Sequence, residues 1–148
     1  MALSRRTILL SGAALGAAGA ATGLPLAAVA SPGPLRRDPF TLGVASGDPD
    51  HDGFVLWTRP APEPLAEDGM SGMPSRVVPV SWEVAADERF RHVVRRGVAL
   101  ARPESAHSVH VELDGLLPGR EYFYRFRAER WLSPAFGGTC APRSPRPS

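Results

Sequence analysis

Short runs in which every second residue is apolar, broken by Gly, Pro and Asp, fill this chain from Phe40 onward. A side-chain period of two suits an extended strand with one buried face, not a helix. Val78, Val80, Trp82 and Val84 share one face of such a segment, with Pro79, Ser81 and Glu83 on the other. His107, Val109, Val111 and Leu113 alternate with Ser108, His110 and Glu112. Tyr122, Tyr124 and Phe126 oppose Arg125 and Arg127. Phe54 to Arg59 is a further strand, apolar on both faces at Val55 and Leu56 and stopped by Pro60. Asp87 to Arg96 reads either as a short capped helix or as a turn feeding an edge strand, and the turn and strand are preferred. Pro60 to Ser75, rich in Pro and Gly, is a long irregular loop. Several short strands with turn signals between them predict an all-β antiparallel sandwich of the immunoglobulin or fibronectin type III-like kind.

One local pattern sharpens that prediction. Leu116-x-Pro118-x-x-x-Tyr122 precedes an alternating strand. It matches a tyrosine corner, in which the phenol bonds back to backbone at the turn between two strands. Trp82 is expected at the centre of the core, as the largest apolar residue on its strand face.

The amino terminus follows a different logic. Arg5 and Arg6 stand before an Ala- and Gly-rich apolar run from Ile8 to Val29, which closes on Ala28-Val29-Ala30. That layout predicts a twin-arginine export signal over residues 1–30, cleaved after Ala30. A membrane anchor is the alternative, and Gly12, Gly16, Gly19, Gly23 and Pro25 weaken it by lowering helix propensity and hydropathy. The expected partner is the twin-arginine export machinery. The membrane is met only in passing, and the product is placed in the extracellular space, cell wall or periplasm. Ser31 to Pro39 reads as a Pro-rich linker. Cleavage leaves 118 residues, enough for one small domain. They carry 15 acidic and 15 basic residues, every base an Arg, so the net charge is zero and nucleic acid is not an expected partner. The lone Cys140 has no internal disulfide partner.

Several motifs invite a catalytic or metal reading and fall short of it. Asp48-Pro49-Asp50-His51-Asp52-Gly53 opens like a calcium loop, but Arg59 holds the twelfth position and the segment runs into a strand, so a polar turn is expected. His107 and His110 at odd spacing on a strand point to opposite faces, and all four histidines read as surface or edge residues. Gly43-Val44-Ala45-Ser46-Gly47 misses the nucleophile elbow, because Ala45 stands where the serine belongs. Cys140 sits in a Pro- and Arg-rich tail and reads as an unstructured thiol. No catalytic, cofactor-binding or metal residue is expected in this chain.

The assembled blocks resemble a known family. Phe40-Thr41-Leu42-Gly43-Val44-Ala45-Ser46-Gly47-Asp48-Pro49, Val55-Leu56-Trp57-Thr58-Arg59, Pro79 to Asp87, His107 to Val111 and Gly115 to Arg127 are similar, in this order, to the start of alkaline phosphatase D (PhoD-like) proteins. With the signal, the resemblance covers Ser4 to Ala128. It implies a fibronectin-like sandwich over residues 40–134, followed in the family by a metallophosphoesterase domain that holds iron and calcium and cleaves phosphate esters. The family's metal blocks resemble Asp-x-His, Gly-Asp and Gly-Asn-His. This chain has no Asn, and none of those ligands maps onto it. The expectation is a non-catalytic module with no cofactor of its own, whose family partner is the catalytic domain. A free-standing protein- or sugar-binding module is the alternative. After Ala128 the sequence departs from the family pattern, which predicts a frameshift or early stop near Pro134 and a disordered tail over residues 135–148.

Overall fold

The structure, a computed structural model, describes residues 33–142. The proposed signal residues Arg5, Arg6, Ala28 and Ala30 lie outside the described residues. Among the described residues there are eight strands: β1 Val44–Gly47, β2 Val55–Thr58, β3 Val78–Ala85, β4 Val93–Ala101, β5 Val109–Glu112, β6 Glu121–Ala128, β7 Trp131–Leu132 and β8 Phe136–Thr139. A 3-10 turn, Pro103–Ser105, interrupts the path from β4 to β5. All pairings are antiparallel. One sheet has three strands in the order β1-β2-β5, and the other runs β4-β3-β6-β7 with β8 also on β6. This is an all-β antiparallel sandwich of two sheets.

Register explains which side chains meet. Val44 pairs with Thr58, and Ser46 with Leu56, while Leu56 and Thr58 pair with Val111 and Val109. Those residues form the inner face of the small sheet. On the larger sheet Val80 pairs with Ala99 and Ala128, and Val84 with Tyr124. Val78, Val80, Val84, Tyr122, Tyr124 and Phe126 are buried in one core cluster with Leu56 and Val109 of the opposite sheet and with Phe54 just ahead of β2. Thr58 is buried too, and its hydroxyl donates to the Gly43 carbonyl at 3.0 Å, so no polar atom is stranded there. The Asp87 turn leads into β4, and no helix forms over residues 87–96.

Trp82 differs from its expected central place. It is half-buried, packed on the flank of the core. Its paired residue on β4 is Gly97, and a Cβ there would lie 2.5 Å from Trp82 Cζ2. The indole therefore covers the edge of the sandwich across a residue that has no side chain.

Residues 135–142 are ordered, contrary to the expectation for the tail. β8 pairs with β6 from Glu121↔Thr139 to Tyr124↔Phe136, and the Cys140 N–H donates to the Arg120 carbonyl at 3.0 Å. Cys140 is fully buried rather than an unstructured thiol. Backbone pairing needs no apolar side chain, so Gly137 and Gly138 serve as well as larger residues. Gly138 serves better, because a Cβ on it would lie 2.7 Å from Phe54 Cε2. β7 and β8 share one side of β6, and Ser133 bridges the break between them. Its N–H donates to the Phe126 carbonyl, and its hydroxyl accepts the Phe126 N–H at 2.9 Å.

The segment read as a linker is also bound to the domain from Gly33 onward. Leu35, Pro39 and Phe40 are buried, and the Ala61 N–H donates to the Pro39 carbonyl at 2.7 Å.

Candidate functional site

Tyr122 is the second residue of β6 and is buried. Its hydroxyl accepts the backbone N–H of Leu117 at 3.0 Å. Leu116 is buried beside it, Pro118 is half-buried, and Gly119 takes the left-handed backbone at φ 65°. The phenol thus ties the turn between β5 and β6 to the strand. The group it satisfies is a backbone donor, with the phenol oxygen as acceptor.

The Asp48–Gly53 turn lies at the same end of the sandwich. Asp52 carbonyl accepts from Leu116 N–H at 2.7 Å, and Asp50 carbonyl from Ala141 N–H at 2.8 Å. Gly53 is indispensable to this contact, since a Cβ there would lie 1.8 Å from the Leu113 carbonyl oxygen. Asp50, His51 and Asp52 can bring one ligand atom each within 4.8 Å of one another. Asp50 Oδ1 is engaged by His51 Nδ1 at 2.9 Å and by the His51 backbone N–H at 2.6 Å. These bonds hold the Asp50 carboxyl below its ordinary range. Asp50 and His51 are exposed, and Asp52 is half-buried.

The remaining chemistry-bearing groups are dispersed. Ser46 Oγ faces the space over Gly138 and stands beside the buried Tyr124 phenol, which burial pushes above its ordinary pKa. Among the described residues no imidazole is hydrogen-bonded to Ser46 as a base. Burial, with a smaller contribution from Asp52, raises the Cys140 thiol and keeps it protonated. His107 is fully buried rather than at the surface. It lies ahead of β5 in left-handed backbone at φ 58°, with Nε2 3.3 Å from the Arg76 carbonyl. His110 is exposed on β5, its ring 6.3 Å from that of Trp57. The histidines are therefore not brought together.

The outer face of the larger sheet carries a shallow hollow of about 270 Å³, lined by Ser81, Glu83, Arg96, Val98, Arg127 and Leu132 among others. Arg125 spans this face. Its Nε and Nη2 donate to Glu83 Oε2 at 3.0 and 2.8 Å, and Phe90 stacks on it at 4.0 Å. Arg125 and Glu83 neutralise one another. Val98 is 64% exposed beside them. The hollow offers charge and apolar surface, with no nucleophile paired to a base.

What the sequence reading did not find is a clamp on the segment before β1. Glu129 Oε2 accepts the Leu35 N–H at 2.6 Å, and Trp131 Nε1 donates to the Leu35 carbonyl at 3.1 Å. Arg76 Nη2 donates to Glu129 Oε1 at 2.8 Å and to the Gly33 carbonyl at 3.3 Å. The partners lie 43 to 96 residues apart, so no local spacing announces them.

The arrangement is a β-sandwich whose chemistry-bearing side chains are spread over both ends and one face. A family model described as PhoD-like phosphatase, N-terminal domain, matches residues 27–142. The chain belongs to this PhoD-like N-terminal domain family. It is 60% identical over 96 residues to alkaline phosphatase D of Bacillus subtilis (strain 168), a match covering 65% of this chain and 16% of that protein. A solved structure titled "Structure of PhoD" superposes with a TM-score of 0.69 at 55% identity, over 73% of this chain and 20% of that one. A human fibronectin type III domain from the KIAA0970 protein is matched at 15% identity and TM-score 0.46, over 69% of this chain and 73% of that domain. The chain thus spans a small part of the PhoD relatives it matches. The family match also runs past Ala128 to residue 142, so the departure expected there does not interrupt the PhoD-like domain.

Proposed function

We propose that this chain is the exported, non-catalytic N-terminal module of a PhoD-like phosphatase, a sandwich that packs on a catalytic part and helps frame its substrate entrance. The observation that carries the reading is the family match over residues 27–142, which falls on the N-terminal domain of these phosphatases. Phosphoester hydrolysis by a metal pair needs clustered Asp, His and Asn ligands to polarise the phosphoryl oxygen and ionise a water. Among the described residues the one trio close enough to share an ion is Asp50, His51 and Asp52, on an exposed turn where Asp50 is already bonded to His51. That trio does not fit the iron and calcium of the family, and no step is assigned to it. Those ions belong, in this reading, to the catalytic part.

The purified chain, given iron and calcium, is expected to leave p-nitrophenyl phosphate and its diester unhydrolysed. Sustained metal-dependent turnover that survives gel filtration would contradict the proposal. Export by the twin-arginine route is supported by Arg5-Arg6 and Ala28-Val29-Ala30. Replacing both arginines with Lys should keep the precursor inside the cell, and undiminished secretion would count against that route.

A further inference from the structure

We propose that Arg76, Glu129, Arg130 and Trp131 form a peptide-clamping site whose occupant is the chain's own Gly33–Arg36 segment, and that the clamp closes only on a finished sandwich. Four backbone groups of the segment are read by side chains. The Gly33 carbonyl accepts from Arg76 Nη2, the Leu35 N–H donates to Glu129, the Leu35 carbonyl accepts from Trp131 Nε1, and the Arg36 carbonyl accepts from Arg130 Nη2 at 3.4 Å. The Leu35 side chain is 4% exposed and joins the core cluster. Arg130 stacks on Trp131 at 4.9 Å and so steadies the indole that holds Leu35.

The turn that carries Glu129 places a glutamate where the backbone favours glycine. Glu129 and Arg130 connect Ala128 to Trp131, which face each other across the β6–β7 hairpin. Glu129 takes left-handed backbone at φ 52°. Glycine is the favoured residue for that conformation in a tight hairpin turn. A glutamate placed there accepts strain, and its carboxylate receives both the Leu35 N–H and Arg76.

The clamp cannot form early. Arg76 comes from the loop before β3, while Glu129, Arg130 and Trp131 come from the β6–β7 hairpin. β3 and β6 must pair before these groups converge. The strap is therefore a separate closing unit laid on a completed sheet, and it fixes the backbone at the exposed Arg36-Arg37 pair only from that point on.

Hydrogen exchange of the full chain, read at the Leu35 amide, tests this, with tryptic cleavage after Arg36 and Arg37 as a second readout. Two variants are informative. Glu129→Gly removes the carboxylate while favouring the turn, and Trp131→Phe removes the indole donor while keeping an aromatic ring. In the parent the Leu35 amide should be protected and the Arg36-Arg37 pair cut slowly. In each variant Leu35 exchange should accelerate by about tenfold or more, with cleavage faster in step, while amides of β3 and β6 keep their parent rates. The proposal is overturned if Leu35 exchanges freely in the parent, if neither variant changes it, or if β3 and β6 amides accelerate together with it.

Discussion

Tyr122 and Glu129 solve the same problem with different chemistry. Each side chain satisfies a backbone N–H that no strand partner reaches, Leu117 in one case and Leu35 in the other. Removing the Tyr122 hydroxyl strands a donor on a turn that water can partly enter, because Leu117 itself is exposed. Tyr122→Phe is therefore expected to cost about 1 kcal/mol, the net worth of one such bond. Denaturant titration would read this as a lower midpoint at unchanged slope. An unchanged midpoint would mean that the bond does not hold the turn. Cys140 illustrates how burial overrides residue type. Its thiol is raised by desolvation and enclosed in the core cluster, so alkylation should proceed only as fast as the protein opens.

At the scale of elements, β8 is the strand whose role depends least on side chains. Gly138→Val would drive its side chain into Phe54 and Ser46, displacing β8 from β6. A loss of about 2–3 kcal/mol is expected, in the range of overpacked cores, and thermal melts of variant and parent would measure it. A variant as stable as the parent would show that β8 is not seated on Phe54. This also explains which elements could be read from the sequence. β3, β5 and β6 announce themselves because their inward residues are large and apolar, as in Tyr122, Tyr124 and Phe126. β8 gives no such signal: its inward position is Gly138, and Pro and Arg residues follow it. Trp82 was legible as an inward residue but not as an edge residue, since its position depends on meeting Gly97 across the sheet. The strap was hidden for a related reason. A Pro-rich composition describes local stiffness and says nothing about side chains, 43 to 96 residues distant, that grip the backbone.

For the molecule as a whole, charge is tuned at three carboxyls. Asp50 is lowered chiefly by its bonds to His51. For Asp87, burial acts to raise the carboxyl, but the Arg91 and His92 backbone N–H groups and the His92 ring outweigh it. For Glu129, burial again acts upward and is outweighed by Arg76, the Leu35 N–H and Arg130. Groups lowered on folding contribute stability that is present above their unfolded pKa, near 4, and lost as pH falls through the lower folded values. The melting temperature should therefore hold from neutral pH to about 5 and fall below that. A melting temperature that stayed level to pH of about 2 would show these three interactions to be absent in solution.

In the proposed function the metal pair belongs to the catalytic part, and this chain's own residues serve packing and turns. Cys140 is enclosed, and the four histidines lie in separate segments of the described residues. Elemental analysis of the folded chain, after incubation with iron and calcium and removal of free ions, tests that assignment most directly. The account predicts no stoichiometric iron. One equivalent or more retained per chain, and released on replacing Asp50, His51 and Asp52 with Ala, would contradict it.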